Sequence, residues 1–200
     1  MPGKLGQPKG DKRERTRARL IEAAAEVIGE RGFEETSLEE VARRMGMTRG
    51  AIYGNFRNRD ELFLAVVETR WQPITPQFAP GATYPERMRS LGEAIIQALP
   101  ARRAAAIGAA SFNAYALKHE AMRQRLVEAN AETYRRMAAA IDAASAELDL
   151  PMPAQTFVRV LHAVIEGLVM LSNLTPELVT PDVVRAAFDG LARIGERSAD

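Results

Sequence analysis

Four prolines, Pro73, Pro76, Pro80 and Pro85, fall within 13 residues near the middle of this 200-residue chain. No helix tolerates such a cluster, because proline lacks the amide donor and its ring clashes with the preceding turn. On either side the apolar residues recur at helical spacing, and no segment alternates as a strand would. The expected fold is therefore all-α, with about nine helices divided between two domains. Residues 1–11, rich in Gly, Pro and Lys, read as a disordered basic tail. Residues 12–71 form the first domain and residues 72–200 the second.

Punctuation residues bound the helices. The first is expected over 12–31, stopped by Gly32. The second starts at Ser37, where Ser37-Leu-Glu-Glu40 matches a capping box, and ends at Gly46. The third runs from Thr48, its N-cap, to Phe56. The fourth starts at Asn58 and runs to Trp71. Beyond the prolines, Thr83-Tyr-Pro-Glu86 opens a fifth helix, which Pro100 should break. Helices over 101–117, 119–148 and 153–174 follow. Thr180-Pro181-Asp182 opens a ninth, with N-cap, N1 proline and first-turn acid together, and it runs to Arg197.

Composition removes several function classes. With no cysteine, the chain has no disulfide, no thiolate metal site and no cysteine nucleophile. Its two histidines, His119 and His162, are too few for a rich metal centre. No Gly-rich phosphate loop and no Ser-His-Asp arrangement stands out, so the expectation is no enzyme, no metal and no cofactor. The start lacks an apolar signal segment, and no stretch reads as the roughly 18 apolar residues of a membrane span. The expected location is cytoplasmic, without membrane association.

Charge is unevenly spread. Residues 1–19 carry a net +5, residues 20–42 a net −6, and residues 43–59 a net +5 without a single acid. The second basic block lies across Leu38-EEVARRMGMTRGAIYGN-Phe56. That segment has what two short crossing helices need. Ala42 is small at the crossing point, and Gly46 tolerates the positive φ of the turn. Val41, Met45, Met47, Ile52 and Phe56 supply apolar anchors. At 100° per residue, Ile52 and Phe56 point one way while Gly50, Tyr53 and Gly54 point the other, with Arg49 on the flank. A small, polar outer face of this kind suits the DNA major groove.

Residues 13–66 resemble the DNA-binding domain of the tetracycline-repressor (TetR) family. The likeness rests on Gly32-Phe33, Thr36-Ser37-Leu38, Val41-Ala42 and Gly46-Met47-Thr48. Above all it rests on Tyr53-Gly-Asn-Phe56-x-x-Arg59-x-x-Leu62, where the family usually has Lys at the position of Arg59. The resemblance implies a helix-turn-helix regulator that binds double-stranded operator DNA as a homodimer. It further implies a repressor released by a small apolar or amphipathic ligand. A regulator with no small-molecule effector, an activator or an architectural protein, is the alternative.

Individual roles follow. Arg49 can bond guanine O6 and N7 together, or else pair on the surface with Glu39 or Glu40. Tyr53 holds a backbone phosphate, as the resemblance implies. Thr48 and Ser37 cap helices and can also face phosphate. Gly50 and Gly54 permit close backbone approach, or reflect drift. Asn55 could read adenine, and Arg59 could hold phosphate. Lys12, Arg13, Arg15, Thr16 and Arg17 form a basic arm near the DNA.

In the second domain, Phe157-VRVLHAVIEGLVMLSN-Leu174 is apolar on nearly every side and must be covered on both. The resemblance implies that the eighth and ninth helices of two chains form a four-helix dimer interface, with Gly167 allowing close approach. Candidate ligand-lining residues are Met88, Phe112, Tyr115, Tyr134, Met137, Phe157, His162, Glu166 and Met170. The aromatic and Met residues among them, at helical spacing, are more often plain core. His162 and Glu166, four residues apart, could pair with each other or offer polar groups to a ligand.

Overall fold

The structure, a computed structural model, describes residues 9–70, 74, 76–144 and 150–196. Among these it contains nine helices and no strand. They are α1 (Lys9–Arg31), α2 (Leu38–Arg44), α3 (Arg49–Tyr53), α4 (Arg59–Arg70), α5 (Tyr84–Ala104), α6 (Ala106–Lys118), α7 (Glu120–Ala144), α8 (Ala154–Leu174) and α9 (Pro181–Glu196). Of the tail expected over 1–11, residues 1–8 lie outside the described residues, as do the end of the fourth helix at Trp71 and the ends of the seventh and ninth at Leu148 and Arg197. Residues 9–11 are not a disordered tail but the first residues of α1.

The chain divides into two compact units. The first takes residues 1–72 and also 107–122, so it holds α6 as well as α1 to α4. Its core is Leu20, Val27, Ile28, Phe33, Val41, Ile52, Phe56, Leu62 and Phe63, joined by Phe112 and Tyr115. Phe33 packs edge-on against Phe63 with centroids 4.6 Å apart, and Phe112 and Tyr115 lie 5.1 and 6.4 Å from Phe33. The aromatic area that α6 buries here explains why it joins this unit rather than the helices next to it in sequence. Ser111 adds a polar tie, its hydroxyl accepting from the Phe33 amide at 3.2 Å.

The second unit takes residues 73–106 and 123–200. Its core gathers Tyr84, Met88, Leu91 and Ile95 of α5, Phe157 and Leu161 of α8, and Val184, Phe188 and Ala192 of α9. α5 and α9 approach closely at Gly92, where a Cβ would stand 3.0 Å from the Phe188 Cβ.

Three further sequence expectations are corrected. Pro100 does not end the fifth helix, which continues to Ala104. Pro100 is exposed, so the carbonyl that loses its donor can turn to water and the break is not forced. The third helix ends at Tyr53, with Gly54 as C-cap, short of Phe56. Finally, α8 is long and apolar enough to cross a membrane by length and composition, contrary to the expectation of no such stretch. One side of α8 nevertheless belongs to the core through Phe157, Val158 and Leu161.

Candidate nucleic-acid interface

α2 and α3 are each set by a hydroxyl cap. The Ser37 side chain accepts from the Glu40 amide at 3.1 Å, and Thr48 accepts from Ala51 at 3.4 Å. Each satisfies an amide that the helix itself cannot. Between them Gly46 takes φ +61°, the left-handed value the turn requires, and the Met47 amide returns to the Ala42 carbonyl at 2.9 Å. Ala42, Val41, Ile52 and Phe56 are buried beneath the pair. The expected capping box at Ser37 is half made. Glu40 turns its carboxylate to Arg43, at 2.7 and 3.0 Å, and to Arg31 at 3.5 Å. Two guanidiniums outbid one neutral amide for that charge.

The outer face carries Arg49, Gly50 and Tyr53, all exposed. A Cβ on Gly50 would meet nothing within 4 Å, so no packing inside this chain demands a glycine there. Gly54 is ordinary helical backbone at φ −71°. Tyr53 donates its hydroxyl to Glu39 Oε1 at 3.1 Å, and Arg49 Nε lies 3.2 Å from that same oxygen. The Arg49 guanidinium also stands 5.4 Å from the Tyr53 ring centroid. Glu39 was singled out from sequence only as a surface partner for Arg49. Its contact with Tyr53 spans 14 residues, and no local motif announces it.

The α1 arm is more committed than a flexible basic tail. Arg13 donates to the Gly54 carbonyl and Arg17 to the Asn55 carbonyl, each at 3.2 Å. Arg17 also lies 4.2 Å from the Phe56 ring centroid. Both arginines thus close the C-terminal end of α3, where cations are favoured. Thr16 bonds its own helix at the Lys12 carbonyl, 2.9 Å away. Lys12 and Arg15 are exposed.

Two expected DNA contacts are corrected. Asn55 gives its amide to the Ala51 carbonyl at 2.9 Å and buries its Oδ1 without a partner, so it presents no adenine-reading edge. Arg59 donates to the Glu34 carbonyl at 3.3 Å and lies 4.8 and 5.0 Å from the rings of Phe63 and Tyr115. A planar guanidinium stacks on aromatics in a way an ammonium does not, which draws it inward and away from a phosphate role. Beside it, Asp60 accepts the Tyr115 hydroxyl at 2.8 Å. Burial, and then this carboxylate, hold the Tyr115 phenol above its usual pKa.

The expected ligand residues separate widely. Phe112 and Tyr115 belong to the aromatic core of the first unit, a correction that follows from the placement of α6. Met88 and Phe157 are buried in the core of the second, packed rather than lining space. Met137 and Met170 are exposed. Tyr134, His162 and Glu166 do come together: the Tyr134 hydroxyl meets His162 Nδ1 at 2.5 Å, and His162 Nε2 lies 3.8 Å from Glu166. Burial raises the Tyr134 pKa. An open cleft of about 780 Å³ between α5 and α9 is lined by other residues, among them Arg89, Glu93, Arg185 and Asp189.

Two capped helices, a glycine turn and an outer face of exposed donors define a helix-turn-helix regulator. Residues 20–66 match the bacterial regulatory proteins of the tetR family, and residues 85–194 match the C-terminal part of BetI-type transcriptional repressors. The chain belongs to the TetR family of DNA-binding transcriptional regulators, whose members are not enzymes. The HTH-type transcriptional regulator SrpR of Pseudomonas putida is 40% identical over 67 residues, which are 34% of this chain and 32% of SrpR. The match therefore spans about a third of that relative's length. A transcriptional regulator from Rhodococcus sp. Rha1 superposes with a TM-score of 0.68 over 92% of this chain and 97% of its own, at 23% identity. A transcriptional regulator from Saccharomonospora viridis, solved in complex with choline, gives 0.62 over 90% and 96%, at 16% identity. At these identities the likeness is one of fold.

Proposed function

We propose that this chain is a cytoplasmic repressor that binds its operator as a homodimer and is released by a small ligand. The observation that carries the repressor reading is the match of residues 85–194 to BetI-type repressors. Tyr53 is assigned to a backbone phosphate and Arg49 to a base edge, with Ser37, Thr48, Gly50 and the exposed Arg13 flanking them. Dimerisation is supported by what α8 and α9 leave uncovered. Ala163, Gly167, Met170 and Leu174 share one face of α8, and Val183, Ala186, Gly190 and Ile194 share one face of α9. Met170, Leu174, Val183 and Ile194 are exposed, and a Cβ on either glycine would meet nothing within 4 Å. Apolar faces with small residues at their centres suit close helix-on-helix packing between two copies.

For the ligand, the group Tyr134, His162 and Glu166 supplies the polar contacts. An aromatic ring beside a carboxylate suits a small cation, and choline is the natural first probe given the S. viridis complex. Release acts through the first unit. Within that unit, Tyr115 of α6 is held by Asp60 and Arg59 at the start of α4. A ligand shifts this arrangement only if it binds one placement of α6 better than another. One observation favours a regulator without an effector: Met88 and Phe157 are packed as core. A mobility-shift assay on the chain's own upstream region tests the proposal. A salt-sensitive retarded complex that a ligand dissociates is expected. No complex at low salt overturns operator binding, and a complex that no ligand disturbs favours the effector-free regulator.

A further inference from the structure

A carboxylate sits on the DNA-facing surface, where it opposes a polyanion, and this calls for an explanation. Glu39 is the second residue of α2, half exposed, with the acid-free basic stretch beginning four residues further on. One of its oxygens, Oε1, is shared by the Tyr53 hydroxyl at 3.1 Å and the Arg49 Nε at 3.2 Å. The guanidinium also stands over the tyrosine ring, 5.4 Å from its centroid, so the three side chains meet across α2 and α3. A single anionic oxygen taking one hydroxyl and one guanidinium donor is what a DNA phosphate would offer these same groups. The neighbouring Glu40 has the same charge and a different role, because Arg43 and Arg31 neutralise it.

We propose that Glu39 is a specificity-determining residue that acts as an internal stand-in for a DNA phosphate. It occupies the Arg49 and Tyr53 donors in the free protein, and DNA must displace it to reach them. Backbone contact alone then gains little, since each phosphate bond made costs a carboxylate bond broken. A correct site adds base-edge contacts that Glu39 cannot imitate, and so outcompetes it. The effect is to hold down non-specific binding more than operator binding. The stand-in is well held before DNA arrives: its own backbone amide, then the Tyr53 hydroxyl, keep the Glu39 carboxyl below the usual range. This inference rests on the assignment of Arg49 and Tyr53 as DNA contacts.

The test is fluorescence anisotropy of the full chain on two labelled duplexes, one selected from a random pool and one of arbitrary sequence. E39Q keeps an acceptor and removes the charge, while E40Q controls for a general gain in positive charge. E39Q should tighten the arbitrary duplex by about three- to tenfold and the selected one by less, so that the ratio of affinities falls. E40Q should move both duplexes equally and more weakly. In a Tyr53→Phe background the E39Q gain should shrink by about half or more, because the residue acts through that hydroxyl. Equal effects of E39Q and E40Q, or a gain undiminished by Tyr53→Phe, overturn the proposal. So does a preferential loss on the selected duplex, which would make Glu39 a direct reader of cytosine. If Arg49→Ala and Tyr53→Phe weaken neither duplex, the assignment of the DNA contacts falls and this inference falls with it. If they do weaken binding and E39Q changes nothing, the inference alone fails.

Discussion

The outer face of α2 and α3 and the outer faces of α8 and α9 both stay exposed among the described residues, in chemically opposite ways. On the first, the exposed groups are donors, and the chain supplies its own acceptor, Glu39, for Arg49 and Tyr53. That face is stable in water and can exchange its acceptor for DNA. On the second, the exposed groups are Met170, Leu174, Val183 and Ile194, all apolar. Polar surfaces can wait for a partner, but apolar ones at this density need one for solubility. On the function proposed above, the first is a reversible interface and the second a standing one.

The largest effect should come from α6, which packs into the unit that carries the first of these faces. Phe112→Ala should cost about 3–5 kcal/mol, because it opens a cavity beside Phe33 in a fully buried position. Urea unfolding would measure this, and DNA binding should fall with it. Were Phe112 a pocket residue, stability would hold and only ligand response would change.

Next in size is Leu174→Arg. Its side chain is exposed in the single chain, so the fold should be unaffected. The monomer–dimer equilibrium should weaken about a hundredfold or more, roughly 3 kcal/mol. Sedimentation velocity would show monomers, and an unchanged dimer would place the interface elsewhere.

Tyr115→Phe removes the hydroxyl that Asp60 accepts and keeps the ring under Arg59. It should cost about 1 kcal/mol in thermal unfolding. Its sharper readout is coupling, for ligand release should weaken while ligand-free DNA binding stays close to normal. The smallest effect should be Gly50→Ala. The added methyl meets open space, so stability should stay or rise by up to about 1 kcal/mol. A loss of DNA affinity in that variant would mark close backbone approach, and no loss would mark drift.

What sequence alone made legible follows the same division. The caps Ser37 and Thr48, the turn at Gly46 and the anchors Ile52 and Phe56 obey rules that act within a few residues, and the structure places them as read. Side-chain direction was not legible where a distant partner decides it. Asn55 turns to its own helix, and Arg59 turns to rings at residues 63 and 115. α6 follows sequence order only until the aromatics at 33 and 63 capture it. Glu39 was invisible as a partner of Tyr53 because the pairing exists only once α2 and α3 have crossed. The ligand residues were the least legible, since an apolar side chain at helical spacing looks the same whether it fills a core or lines a cavity.

The central claim, that α3 reads DNA through Arg49 and grips it through Tyr53, is tested most directly by one paired measurement. Duplexes selected from a random pool by the unaltered chain would be titrated with Arg49→Ala and with Tyr53→Phe, each against every single-base variant of the site. Arg49→Ala should relax preference at one base pair in each half-site, erasing about 1–3 kcal/mol of discrimination there. Tyr53→Phe should weaken every duplex alike. A uniform loss with both variants would contradict Arg49 as a base reader. No loss with either would contradict the interface.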